Sequence, residues 1–238
     1  MSQPEQSTLP RETWKGFFMF VTIVANGDIE DFAKFVDEIR ASDYIIAADG
    51  GAKHCLANRL DPDLVIGDLD SLSQEDFNRL RSRQIEIIQF PVTKDKTDLE
   101  LAIDYAVKHG ASQVNIFGAL GKRIDMTLAN VLLLTQPDYR EVTITLVDNT
   151  SKVTLIRSEQ RFVIHGSRGD TVSLIPLKGD AKGVTATGLA YPLTNDVLYF
   201  GATRGVSNQM VSDEAGVFVA SGFLLCIQQQ GNLIHGDN

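Results

Sequence analysis

Residues 63–72 read DLVIGDLDSL, and the fold turns on how this stretch is understood. Leu64 to Ile66 make a short apolar, partly β-branched run of the kind that forms a buried strand, and Gly67 breaks it. Two carboxylates, Asp68 and Asp70, then stand one residue apart. They fall just past the carboxyl end of a strand, which in open α/β sheets is where ligands bind. Like charges this close repel each other unless a cation or a donor cluster neutralises them. A hard divalent cation such as Mg2+ is the simplest neutraliser, because it takes oxygen ligands and uses one or two carboxylates beside substrate phosphates. The plainer alternative is a polar turn in which Ser71 or Ser73 caps a helix carrying Phe77 and Leu80.

Outward from this stretch, the chain alternates between two signals. Apolar runs of strand length occur at 18–25, 44–48, 64–66, 85–90, 114–117 and 142–147. Between them, Ile29, Phe32, Ala33, Val36 and Ile39 recur at helical spacing, as do Leu101, Ala102, Tyr105 and Ala106, and then Leu128, Val131 and Leu132. Such alternation predicts βαβ units: a Rossmann-like, mostly parallel sheet with helices on both faces. After Asp148 the helical period is lost. Short runs at 152–156, 161–164, 171–177, 184–187, 197–200 and 217–227 are punctuated by glycines, which predicts an antiparallel β-sandwich or a small barrel. The expected organisation is therefore a flexible leader over 1–15, an α/β catalytic domain over 16–148 and a β domain over 149–238.

The chain has 238 residues, 43% of them hydrophobic and 22% charged, which suits a globular protein with a sizeable core. Its longest apolar run, 17–25, contains Thr22 and ends at Asn26 and Gly27, too short to span a membrane and without a basic leader before it. A cytoplasmic location is expected. The net charge of −9 argues against nucleic acid as a partner, yet it allows a phosphate ligand held through metal and local Lys or Arg. Cys55 and Cys226 have no metal-ligand spacing and read as reduced structural thiols.

Four loops, each after an expected strand, collect the acidic and glycine residues. AADGGA sets Asp49 before Gly50 and Gly51, where glycine lets backbone amides approach a ligand and equally serves a turn. The Asp68/Asp70 loop is the second. In FPVTKDKTDLE, Thr97 and Glu100 form a capping box that starts a helix at Asp98, whose charge suits a first turn with or without a ligand. Asp95 and Lys96 precede the cap and are not needed for it; a carboxylate for metal and an ammonium for phosphate explain both. In FGALGKRIDMTLAN, Gly118, Gly121, Lys122 and Arg123 resemble a phosphate loop but are not a Walker A motif, since Ile116 and Arg123 occupy the required Gly and Ser/Thr positions. Arg123 offers a fork for phosphate, and Asp125 also serves as a helix cap.

These loops, in this order and followed by GLAYPLTNDVLYFGATRGVSN, resemble the thiamine pyrophosphokinase family over roughly residues 21–227. The resemblance implies transfer of pyrophosphate from ATP to thiamine, giving thiamine diphosphate and AMP, by a homodimer with active sites between subunits. It places Asp49, Asp68, Asp70, Asp95 and Asp98 around Mg2+ and ATP, and Arg123, Asp125 and Asn130 near nucleotide and thiamine. Tyr191, Thr203, Ser207 and Asn208 match the segment that encloses thiamine. Met126 stands where many members have His, and Tyr191 where eukaryotic members have Trp. On this basis Asp68, Asp70 and Asp95 are the expected metal ligands. Asp49, Gly50, Gly51, Lys96, Thr97 and Asn130 are the expected nucleotide contacts, Asp70 and Arg123 serve the chemistry, and Asp98 or Asp125 is the candidate proton acceptor.

Rival readings are a phosphatase of the haloacid-dehalogenase type, a pterin-alcohol pyrophosphokinase and a catalytically silent nucleotide- or thiamine-binding protein. The first needs its D-x-D after the first core strand, whereas here it follows the third. The second is disfavoured by the C-terminal β region, and the third by the presence of all four loops.

Overall fold

The computed structural model describes residues 19–231, so the leader expected over 1–15 lies outside the described residues. Strands β1 (Met19–Val24), β2 (Tyr44–Ala48), β3 (Leu64–Gly67), β4 (Glu86–Gln89), β5 (Ala111–Phe117) and β6 (Thr143–Val147) alternate with helices α1 (Val36–Arg40), α2 (Gly51–Ala57), α3 (Gln74–Ser82), α4 (Asp98–Lys108) and α5 (Ile124–Leu133). The strands lie in the order β4-β3-β2-β1-β5-β6, and every neighbouring pair is parallel. The chain steps outward from β1 as far as β4, then crosses back to the other side of β1 for β5. Between β1 and β5 the direction of winding reverses, which opens a crevice at the carboxyl ends of these strands.

Side-chain alternation along β1 sends Val21 and Ile23 to one core and Val24 to another. The first core is closed by Leu99, Ala102, Ile103 and Ala106 of α4. The second is closed by Phe32 and Phe35 of a 3-10 turn, Ile39 of α1, Cys55 and Leu56 of α2 and Leu80 of α3. Helices thus cover both faces. Full burial of a side chain such as Ile103 or Leu80 contributes about 1.5–3 kcal/mol. Thr97 Oγ1 accepts the Glu100 N–H at 3.1 Å, so α4 begins at Asp98 as the capping box predicts. Ser73, not Ser71, caps α3, its Oγ accepting the Asp76 N–H at 3.1 Å.

Beyond β6 the chain reverses in a tight turn where Asp148 Oδ1 accepts the N–H groups of Thr150 and Ser151 at 2.8 and 2.7 Å. It then forms β7 (Ser151–Arg157), β8 (Arg161–His165), β9 (Thr171–Thr187), β10 (Leu193–Leu198), β11 (Asn208–Gln209), β12 (Glu214–Phe218) and β13 (Ser221–Gln229). Strand β7 pairs antiparallel with β6, and the sheet runs on as β7-β13-β9-β12-β8, with β10 and β11 also on β9. Among the described residues the result is an α/β fold on one mixed sheet of 13 strands. A third core, including Ile156, Leu174, Val184, Val217 and Leu224, fills the C-terminal half, while Leu155 and Leu225 face the first core.

Three details depart from the expected element list. The helix expected across 29–39 is a 3-10 turn followed by α1, preceded by Asp31 in the left-handed region (φ 48°). The separate runs 171–177 and 184–187 belong to one strand of 17 residues, β9, in which Gly179 and Gly183 adopt positive φ. Helix α2 has no counterpart in the periodicity, because it spans only 7 residues and its buried positions other than Leu56 are the small Gly51, Ala52 and Cys55. Among the described residues, no helix is long and apolar enough to cross a membrane.

Candidate active site

At the reversal point a cavity of about 520 Å³ opens, lined from β1's loop by Asn26, Gly27 and Asp28, from β2 by Asp49, and from β5's loop by Gly118 to Arg123. The loops after β1 and β5 touch directly. Gly27 N–H donates to Gly118 O at 3.1 Å, and a β-carbon on Gly27 would lie 2.2 Å from that oxygen. Glycine is required there for close approach.

The acidic centre forms where β2 and β3 end. One carboxylate oxygen from each of Asp49, Asp68 and Asp70 lies within 4.8 Å of the others. Asp49 is buried and its backbone is left-handed (φ 47°), which an aspartate tolerates better than most residues. Its Oδ2 accepts from Ser71 Oγ at 2.5 Å and Asn26 Nδ2 at 3.3 Å. Its Oδ1 is buried with no hydrogen-bond partner. A buried carboxylate with one unpartnered oxygen, grouped with two further carboxylates, is the donor set that a hard divalent cation takes. Between Asp68 and Asp70, Leu69 sits in the left-handed region (φ 65°) with its side chain 8% exposed in the second core. The buried leucine pins the loop, so half-buried Asp68 and exposed Asp70 are held beside Asp49.

Lys94 and Asp98 complete this centre. Lys94 Nζ donates to Asp68 Oδ2 at 2.7 Å and to Pro91 O at 3.2 Å, and lies 3.2 Å from Asp98 Oδ1. The hydrogen bond from Lys94 holds the Asp68 carboxyl below the usual carboxylate range. Burial pushes Asp98 above that range, against the pull of Lys94 and helped by the charges of Asp68 and Asp49. Asp98 lines the cavity, as do Lys94, Lys96 and Thr97.

The structure disperses some of the residues expected to act together. Asp95 is exposed and belongs neither to the carboxylate group nor to the cavity wall. The Lys96 ammonium turns toward α4, donating to Asp104 Oδ2 at 2.5 Å and pairing with Glu100 at 3.3 Å. Gly50 and Gly51 serve packing: a β-carbon would lie 2.0 Å from Asn26 Oδ1 at Gly50 and 1.9 Å from Val24 O at Gly51. Arg123 and Asp125 form a bidentate pair at the exposed rim, and the guanidinium brings Asp125 down to about 2. Asp125 is in the first turn of α5, not at its cap position, which Arg123 occupies. Asn130 is buried in the cavity wall, with Nδ2 donating to Ala119 O at 2.7 Å and Oδ1 unpartnered.

Tyr191, Thr203, Ser207 and Asn208 lie in the C-terminal half and none lines this cavity. Asn208 clamps the Tyr191 backbone, accepting its N–H at 3.0 Å and donating to its carbonyl at 2.7 Å. The Tyr191 ring is left 73% exposed. Sequence reasoning missed Asn26, Gly27, Asp28 and Ser71. The signal for the first three was present, since NGD follows β1 as DGG follows β2.

Residues 35–146 match the thiamin pyrophosphokinase catalytic domain and residues 153–224 its vitamin B1 binding domain. Thiamine pyrophosphokinase from Bacillus subtilis is 28% identical over 211 residues, covering 87% of this chain and 97% of the relative. A crystal structure of thiamine pyrophosphokinase from Bacillus subtilis superposes with a TM-score of 0.77 at 27% identity, over 89% of this chain and 99% of that one. The structure from Geobacillus thermodenitrificans gives 0.77 at 28% identity, over 90% and 99%. The vitamin B1 match decides against the pterin-alcohol alternative. Since both of its domains are matched in order along a shared fold, this chain belongs to the thiamine pyrophosphokinase family.

Proposed function

We propose that this chain transfers the pyrophosphoryl group of ATP to the hydroxyl of thiamine, giving thiamine diphosphate and AMP. The observation that carries the assignment is the convergence of Asp49, Asp68 and Asp70 within 4.8 Å, with Asp49 also lining the reversal-point cavity. Residues 16–148 take ATP and metal in this scheme, and residues 149–238 take thiamine.

Asp49, Asp68 and Asp70 would hold Mg2+; Asp49 takes the place first given to Asp95, which is exposed and outside the group. When bound, the cation supplies charge neutralisation on the triphosphate. The chain's own residues do the rest. Arg123 meets phosphate oxygens from the rim, prepositioned by Asp125. Asn130 presents its free Oδ1 to a donor on the nucleotide. Attack at the β-phosphorus needs the hydroxyl, phosphorus and leaving AMP in line, and held geometry supplies most of that. Asp98 accepts the hydroxyl proton in preference to Asp125, because burial raises the first and Arg123 depresses the second.

Tyr191, Thr203, Ser207 and Asn208 enclose thiamine at the cavity of a second copy, so the working unit is a homodimer. An unpartnered apolar stripe on α5 supports this: Ile124, Leu128 and Leu132 are 79%, 57% and 44% exposed at a spacing of four. The test is the product nucleotide. With thiamine, ATP and Mg2+ the protein yields AMP and thiamine diphosphate, and Asp70→Asn abolishes both while the fold is retained. Formation of ADP or free phosphate instead would overturn the assignment.

A further inference from the structure

We propose that Lys94 is a placeholder for the metal: its ammonium holds the acidic site together before substrate arrives, resists the bare ion and passes to the phosphates when metal and nucleotide enter together. This rests on the metal centre assigned under the proposed function.

The Lys94 ammonium donates to Asp68 Oδ2 at 2.7 Å and to Pro91 O at 3.2 Å, and it is ion-paired with Asp98 Oδ1 3.2 Å away. The side chain is only 14% exposed, unusual for lysine. Its partners Asp68 and Asp98 are 11% and 23% exposed. Without Lys94, the carboxylates of Asp68 and Asp98 would lose the cation that lies between them, and the charge of Asp49 would add to their repulsion, a costly arrangement for partly desolvated carboxylates.

Asp68 is claimed twice, by Lys94 and by the carboxylate trio. A bare divalent ion therefore arrives beside a fixed positive charge, and drawing Asp68 toward itself would strip the ammonium of its shortest bond without replacing it. A metal that arrives with a triphosphate brings replacement acceptors. Lys94 lines the cavity, so its ammonium can exchange a carboxylate oxygen for a phosphate oxygen there. The exchange also releases Asp98 from its ion pair at the moment a proton acceptor is needed. Metal and nucleotide then favour each other's binding, and the coupling is reciprocal.

The experiment is Mn2+ binding to the full chain, followed by the loss of the free-ion electron paramagnetic resonance signal, with and without an α,β-methylene analogue of ATP. Lys94→Met is expected to bind bare Mn2+ about tenfold more tightly than the parent or better, with the analogue's enhancement of Mn2+ affinity largely lost. Lys94→Arg keeps the charge and should keep the parent's weak bare-ion binding. A lysine that merely braced the loop would, when removed, loosen the carboxylates and weaken the ion, so unchanged or weaker Mn2+ binding in Lys94→Met overturns the inference. Lys94→Gln gives the same reading should the methionine variant fail to fold. If no protein takes up Mn2+ even with the analogue, the metal centre itself falls, and this inference with it.

Discussion

A β-carbon on Gly67 would lie 3.1 Å from Cγ of Asp98 and 3.1 Å from the β-carbon of Asp49. The end of β3 is thus the floor on which two acidic side chains from other elements rest, and it is bare of side chain where they meet. Gly67 also has φ 150°, which an L-residue adopts at a cost. Gly67→Ala should lower stability by roughly 1–3 kcal/mol and turnover by about tenfold or more. Urea melts and steady-state AMP release measure the two effects. Turnover at the parent's level would show that the spacing of these carboxylates is not critical.

Asp98 carries a predictable cost. Its folded-state carboxyl is raised by burial, so the folded chain holds that proton more tightly than the unfolded chain does. Between the ordinary carboxylate value and the raised one, stability falls as pH rises. Asp98→Asn removes the effect. The variant should melt above the parent at neutral pH, with the gap closing as pH drops below the carboxylate range. A gap that widens in acid would reverse the sign assigned to Asp98.

The α5 stripe gives a test of assembly that is independent of chemistry. Leu128→Asp places a charge in the middle of Ile124, Leu128 and Leu132 without touching the third core or the cavity wall. If this face joins two copies, sedimentation velocity should show a dimer for the parent and a monomer for the variant, with AMP release falling in parallel. Dimeric Leu128→Asp would move the interface elsewhere.

Both thiols should be silent until the protein unfolds. Burial pushes Cys55 and Cys226 up to about 12, and each lies in a core cluster. Ellman's reagent should find no reactive thiol in the native state near pH 8 and both in guanidinium. Fast reaction at either cysteine in native buffer would mean that its core opens readily.

What was legible beforehand depended on whether the signal was local. The start of α4 was readable because Thr97 and Glu100 form a cap within one turn. The Asp68/Asp70 pair was readable because the apolar run 64–66 ends beside it. Ser71 looked like a helix cap from its neighbours, and only the placement of β2 next to β3 turns its hydroxyl to Asp49. The same holds for Asn26, whose importance comes from β1 lying inside the sheet, where the strand order reverses. The long strand β9 reads as two runs, since glycines at positive φ within a strand look like glycines that end one.

The turn at Asp148 leaves almost no slack between the halves of the molecule. With β7 bonded to β6 along Thr145 to Val147, the N-terminal and C-terminal strands belong to one continuous sheet. Enclosure of a substrate cannot come from the halves folding toward each other. It has to come from side chains at the rim, such as Arg123 and Lys122, or from the face of a neighbouring copy. Binding should therefore leave the small-angle scattering radius of each copy nearly unchanged.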